Sequence, residues 1–207
     1  MNNLEYLKIL SKYDPERTNI KISNLNIEGN VNLITFKLLK NLNCSHNKIK
    51  KLVNLSDTLI YLCCSNNPGI SLKDLPDSIE YLDCSECNII SLDMLPESLK
   101  FLNCSRNEIS RLDNIPFNLE KIYCPYNKLT CLDWLPNCIN DLDCSHNNIT
   151  RLDDLPTSLE ILNCMYTDIK ILANLPKFLK NITWNGEIIN KPENLSILKI
   201  KNKKRHC

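Results

Sequence analysis

Glycine is nearly missing from this chain: three residues in 207, against an abundance of asparagine, isoleucine and lysine. That bias follows an AT-rich genome and carries no functional information. Long apolar runs are missing too. No stretch approaches the roughly 20 apolar residues of a membrane span, which excludes a transmembrane helix. The start, MNNLEYLKILSKYDPERT, shows no basic segment followed by an apolar core, so no secretory signal is expected. Nor is there a large net charge, which stands at +1. With 43% hydrophobic and 24% charged residues, disorder is excluded and a soluble globular chain of one or two domains is expected. The reading is an intracellular, cytoplasmic protein whose twelve cysteines are mostly reduced.

What is present in excess is repetition. With Leu75 as offset zero, leucine or isoleucine returns at 95, 115, 135, 155 and 175, each followed by proline, from Pro76 to Pro176. Aliphatic residues recur at offset four (Ile79, Leu99, Leu119) and at offset seven (Leu82, Leu102, Ile122). Cysteine stands at offset nine, asparagine at twelve, isoleucine or leucine at fourteen and leucine at seventeen. The phase runs back without proline through Leu55 and Thr35. The frame is LPxSLxxLxCSxNxIxxLDx. Segments that alternate in and out behave as strands, so offsets seven and nine point inward while six and eight point outward. Proline at offset one suits an extended or polyproline-like back wall.

This frame resembles the leucine-rich repeat signature, L-x-x-L-x-C-x-x-N-x-I. The short unit and its LP start are similar to bacterial effector leucine-rich repeats. They are closer, given the composition, to leucine-rich repeat proteins of giant viruses (mimivirus type). Periodicity and resemblance imply an α/β-type solenoid, mainly β. It would have a parallel sheet on the concave face, an extended convex side and a short N-terminal helical cap. The expected organisation is a cap and degenerate first repeat over 1–34, eight repeats over 35–194, and a C-terminal cap with a basic tail over 195–207. Leucines 4, 7 and 10 give the helix its pattern, Trp184 takes a cysteine position, and Leu195, Leu198 and Ile200 suggest a last irregular strand.

Two columns read as structural. Cys44, Cys64, Cys84, Cys104, Cys124, Cys144 and Cys164 occupy offset nine as small apolar core residues. Seven thiols cannot all pair as disulfides, although stacked neighbours would lie within bridging range. Asn47, Asn67, Asn107, Asn127 and Asn147 would satisfy backbone groups where each strand turns away. Cys87 and Thr167 replace this asparagine in two units. The single C-x2-C at Cys84 and Cys87 does not make a metal site, and no cofactor is expected. Cys63, facing outward, is the best-placed nucleophile, but His46 lies ~11 Å away by strand geometry. No catalytic residue is assigned and no enzyme is expected.

Function is therefore expected on the outward strand positions. Tyr61, Tyr81 and Phe101 would stack across three strands, and Tyr123, Tyr126, Asp141, Asp143, His146 and Tyr166 would form a second aromatic and acidic cluster. The bland alternative is cross-strand stacking that only stabilises the sheet. Residues 1–52 carry nine basic and four acidic side chains, residues 53–160 seven and seventeen, and residues 161–207 nine and three. The acidic centre argues against wrapping nucleic acid, although the tail KIKNKKRHC is basic. The expected function is a non-enzymatic module binding a protein partner on its concave face. The viral resemblance implies a host protein, in the host cytoplasm. The alternative is a structural or virion-associated assembly protein. Neither a small-molecule substrate nor a membrane partner is expected.

Overall fold

In this computed structural model, which describes residues 3–190 together with Leu198 and Lys199, the chain winds into a stack of near-identical coils. Helix α1 (Asn3–Leu10) leads into β1 (Asn19–Lys21), β2 (Glu28–Asn32), β3 (Asn41–Asn43) and β4 (Lys48–Val53). One strand per coil follows: β5 (Tyr61–Cys63), β6 (Tyr81–Asp83), β7 (Phe101–Asn103), β8 (Lys121–Tyr123), β9 (Asp141–Asp143) and β10 (Ile161–Asn163). The end of the stack holds β11 (Ile171–Leu172), β12 (Asn181–Trp184), β13 (Glu187–Asn190) and β14 (Leu198–Lys199).

The main sheet runs β1-β3-β5-β6-β7-β8-β9-β10-β12-β13. From β3 to β12, neighbours pair in parallel with residues twenty apart in register, as in Tyr61 with Tyr81 and Tyr81 with Phe101; β1 meets β3 22 apart. The exact twenty-residue phase is what makes this possible, because each coil then places equivalent residues side by side. Hydrogen bonding continues past the strand: Cys64 N donates to Asp83 O at 2.8 Å and Cys84 N to Asn103 O at 2.9 Å.

Offsets four, seven, nine, fourteen and seventeen all point into one core. In one coil these are Ile79, Leu82, Cys84, Ile89 and Leu92, each buried. At the back, β2 pairs with β4, and later coils replace this short sheet with turns. The prolines begin those turns. Pro96 O accepts from Leu99 N at 3.1 Å, and Pro76, Pro116, Pro136, Pro156 and Pro176 do the same. The back wall expected from proline at offset one thus carries a β-turn at each such proline, which stands first in the turn and contributes only its carbonyl.

Both ends of the core are closed. Helix α1 buries Tyr6 and Leu10, with Ile9 and Tyr13 packed partly against the core, while Leu7 is exposed. The buried face is therefore Tyr6, Ile9, Leu10 and Tyr13, an i, i+3, i+4, i+7 stripe that includes Leu10 of the expected pattern and leaves out Leu7. Tyr13 Oη also donates to Lys21 O at 2.8 Å, covering the first strand. At the other end β12 folds back into β13 as an antiparallel hairpin through Asn185-Gly186, with φ of 52° and 81°. Asn-Gly is the dipeptide that such two-residue turns favour. Trp184 fills the cysteine position and donates Nε1–H to Ile169 O at 3.3 Å. β14 pairs antiparallel with β11. Leu195, Ile200 and the basic tail lie outside the described residues.

Candidate interaction face

Outward residues of a parallel sheet repeat every ~4.8 Å, close to the stacking distance of aromatic rings. Tyr61 stacks on Tyr81 with ring centroids 4.5 Å apart and 16° between planes. Tyr81 stacks on Phe101 at 4.2 Å and 3°. Tyr123, displaced by two positions, meets Phe101 edge-on at 5.2 Å and 84°. Four rings thus form one continuous ladder across the concave sheet. Burial of each ring by its neighbours pushes the Tyr81 hydroxyl up to about 12, and raises those of Tyr61 and Tyr123 as well.

The second predicted cluster separates into two. Tyr123 belongs to the sheet ladder and donates its Oη–H to Asp141 Oδ2 at 3.0 Å, where Lys121 also approaches at 3.8 Å. Tyr126, His146 and Tyr166 form a strip of their own just beyond the strands, at offset eleven. Tyr126 stacks on His146 at 3.9 Å, and His146 on Tyr166 at 4.3 Å. Arg106 lies over the free face of Tyr126 at 4.3 Å and reaches back to Glu86 at 3.8 Å. Asn66 then donates to Glu86 at 3.3 Å. Every member of this strip has positive φ, between 52° and 57°. Asparagine, aspartate and histidine tolerate such backbone best among side chains other than glycine, so Glu86, Arg106, Tyr126 and Tyr166 here act against local preference.

Asp143 has a different job from the one its sequence position suggested. Its Oδ1 accepts from Ser145 N at 2.9 Å and from Ser145 Oγ at 2.6 Å, and its Oδ2 accepts from Asn163 Nδ2 at 3.0 Å. Asn43 with Ser45, Asp83 with Ser85 and Asn103 with Ser105 repeat the motif. These side chains turn the strand into the following loop, as Asx turns do. The recurring Asn/Asp-Cys-Ser triplet was the available signal. Serine at offset three was another: Ser78, Ser98 and Ser158 each donate to a carbonyl of the preceding coil, Leu59 O, Ile79 O and Ile139 O.

Beneath the face runs the asparagine column. Asn107 Nδ2 donates to Cys84 O at 3.0 Å and Cys104 O at 2.9 Å, and its Oδ1 accepts from Cys87 N and Ile89 N, both at 3.0 Å. Asn47, Asn67, Asn127 and Asn147 tie their coils to the preceding one in the same way. Thr167 has only its hydroxyl to offer, which donates to Cys164 O at 2.8 Å. Cys87 Sγ contacts Cys64 O and Ser85 O, both at 3.3 Å, serving the turn and leaving Cys84 to the core.

The cysteine column is fully buried, from Cys44 through Cys164. Burial pushes the Cys104 and Cys164 thiols up to about 12 and those of Cys44, Cys84, Cys124 and Cys144 well up too, so they stay neutral and poorly nucleophilic. Cys63 was expected to be an outward thiol. It is only 6% exposed, its Sγ lies 3.5 Å from Ser65 Oγ and 3.8 Å from Asp83 Oδ2, and burial raises its pKa. Among the described residues, no group of three or more His, Cys, Asp or Glu is placed to hold a metal, and no helix is long and apolar enough to cross a membrane.

Comparison with solved structures gives similar coils. YopM from Yersinia enterocolitica matches with 31% identity over 72% of this chain and 34% of its own, with a TM-score of 0.62. InlJ from Listeria monocytogenes, whose functional domain is described as including a cysteine ladder, matches with 28% identity over 82% of this chain and 44% of its own, at 0.62. A Shigella effector leucine-rich repeat domain, at 24% identity, covers 80% and 74% with a TM-score of 0.62 and supports the fold alone. The chain thus spans only about a third of YopM and under half of InlJ. Neither a family model nor a curated protein matches it. Its twenty-residue period, parallel sheet and asparagine-knit coils make the fold a leucine-rich repeat coil.

Proposed function

We propose that this chain is a non-enzymatic scaffold that binds a protein partner on its concave face. The observation that carries this reading is the ring ladder Tyr61–Tyr81–Phe101–Tyr123, which leaves a strip of half-buried aromatic edges on parallel concave strands whose other outward residues, Cys63 and Ile161 apart, are polar. Aromatic side chains held rigid before binding lose little entropy on contact, and they dominate protein interfaces. The strip of Arg106, Tyr126, His146 and Tyr166 borders the same face and supplies a second row of anchors. Effector and internalin coils among the similar structures support a role in protein interaction. The resemblance of the repeat frame to giant-virus leucine-rich repeats makes a host protein the proposed partner.

The test replaces Tyr81 and Phe101 together by serine. Partners captured by the wild type are identified by mass spectrometry and re-purified, and affinity is then measured with both forms. Loss of 2 kcal/mol or more, roughly a thirtyfold weakening, is expected if these rings are hot spots. Circular dichroism checks the fold, since only cross-strand stacking of some tenths of a kcal/mol per pair should be lost. Undiminished binding by a folded variant would remove the concave face from consideration. Capture of nothing but further copies of the chain would favour an assembly protein.

A further inference from the structure

At the back of each coil, about half a turn from the strand, the backbone passes through a positive φ. The residues there are Asn54, Asp74, Met94, Asn114, Trp134, Asp154 and Asn174, with φ between 54° and 67°. Asparagine and aspartate tolerate this conformation, and bulky apolar side chains do not. Met94 and Trp134 break the rule, and burial does not compensate them. Met94 is 75% exposed and Trp134 83%, and Phe117, near the start of the coil that ends in Trp134, is 78% exposed.

The charges around them break the pattern as well. Asp113 and Asp153 precede Asn114 and Asp154, and each is neutralised within its own coil, by Arg111 at 2.9 Å and Arg151 at 3.1 Å. In the two exceptional coils Ser91 and Cys131 stand where those arginines stand. Asp93 consequently forms no ion pair: it accepts from Ser91 Oγ and Asn114 Nδ2, and the Lys73 charge acts on it from further off. Asp133 has no cationic partner among the described residues, and it opens onto a shallow depression lined also by Arg151, Asp153 and Asp154. The same combination therefore occurs twice, two coils apart: a strained, exposed apolar side chain beside a carboxylate that has no ion pair among the described residues. Local rules broken without structural gain point to selection for binding.

We propose that Met94, Phe117 and Trp134, with Asp93 and Asp133, form a second docking surface, for a basic amphipathic segment of a protein partner. The apolar side chains supply anchors of the kinds enriched at interfaces. The two carboxylates supply charge complementarity and exclude acidic competitors. Two coils are ~10 Å apart at the sheet, a step that a partner helix covers in about seven residues. This surface is independent of the concave ladder.

Trp134 reports on it directly, because the only other tryptophan, Trp184, is 6% exposed. Titration of the full chain with a short amphipathic leucine–lysine peptide should shift the emission to the blue and protect it from acrylamide. Leucine–glutamate and serine–lysine peptides should do neither. Followed by anisotropy of a labelled leucine–lysine peptide, Asp93→Asn with Asp133→Asn should weaken binding about tenfold. Asp113→Asn with Asp153→Asn, the same change in charge, should leave it intact, as should Tyr81→Ser with Phe101→Ser. Equal loss in both aspartate pairs, binding of the serine–lysine peptide, or loss in the concave variant would overturn the proposal. Met94→Asn with Trp134→Asn should abolish peptide binding while the melting temperature holds or rises. A clear fall in melting temperature would make the two residues structural and would also overturn it.

Discussion

Tyr126 and His146 lie face to face, ring centroids 3.9 Å apart and planes 12° from parallel, both on left-handed backbone. His146 is the central rung, with Tyr126 on one face and Tyr166 on the other. His146→Ala should therefore lose two stacked contacts and Tyr166→Ala one. At about 0.5–1.5 kcal/mol per pair, His146→Ala is expected to cost about twice as much in urea unfolding. Equal or reversed costs would mean that the strip contributes nothing to the stack.

The asparagine column predicts a sharp contrast between neighbours in sequence type. Asn107→Ala would leave Cys87 N, Ile89 N and Cys84 O buried without their partner. At about 1–3 kcal/mol per orphaned group, a loss on the order of 3–5 kcal/mol is expected. Asn148→Ala, at an exposed position, should change stability by under about 0.5 kcal/mol. Similar midpoints for the two variants in urea would refute the column's role.

Serine scanning should distinguish members of the cysteine column. Cys104 is fully buried and its thiol has no hydrogen-bond acceptor among the described residues, so Cys104→Ser should cost about 1–3 kcal/mol, and Cys104→Ala less. Cys124 Sγ donates to Asp143 O at 3.2 Å, so Cys124→Ser keeps an acceptor and should be milder. Reductant should leave the melting temperature unchanged. A drop of many degrees would instead show that the column carries disulfides.

Alkali should unfold the protein. Burial raises the Cys104 and Cys164 thiols from 9.0 to about 12, so the folded state keeps protons that the unfolded chain releases. Their contribution is whole below about pH 9 and is lost as pH rises from 9 to 12. Each such thiol removes up to about 1.4 kcal/mol per pH unit within that window. Tyr81, also raised to about 12, acts in the same direction. Cys104→Ala should flatten the fall measured by urea titration at successive pH values. An unchanged slope would show that this thiol does not hold its proton.

Much of the coil was legible because a twenty-residue period is a one-dimensional property. Leu82, Cys84, Ile89 and Leu92 reveal their inward phase by recurrence alone, and no distance between coils is needed to see it. The aromatic ladder was legible for the same reason, since Tyr61, Tyr81 and Phe101 share one offset on strands of known spacing. The Asn/Asp-Cys-Ser triplets and Asn185-Gly186 were in plain view too, but their meaning depends on backbone direction. Asp143 looks like a free surface acid until the chain turns and brings Ser145 N onto its carboxylate.

Stacking decided the rest. Exposure of Cys63 depended on its flanking side chains, and the next coil brings Asp83 against its thiol. Splitting Tyr123 from Tyr126 depended on where the strand ends and left-handed backbone begins. The linkage of Glu86, Arg106 and Tyr126 joins residues twenty apart, which become neighbours only once the coils have settled in register. Periodicity sets which way a side chain points, whereas its partners depend on separations of a few ångströms that only the packed coil establishes.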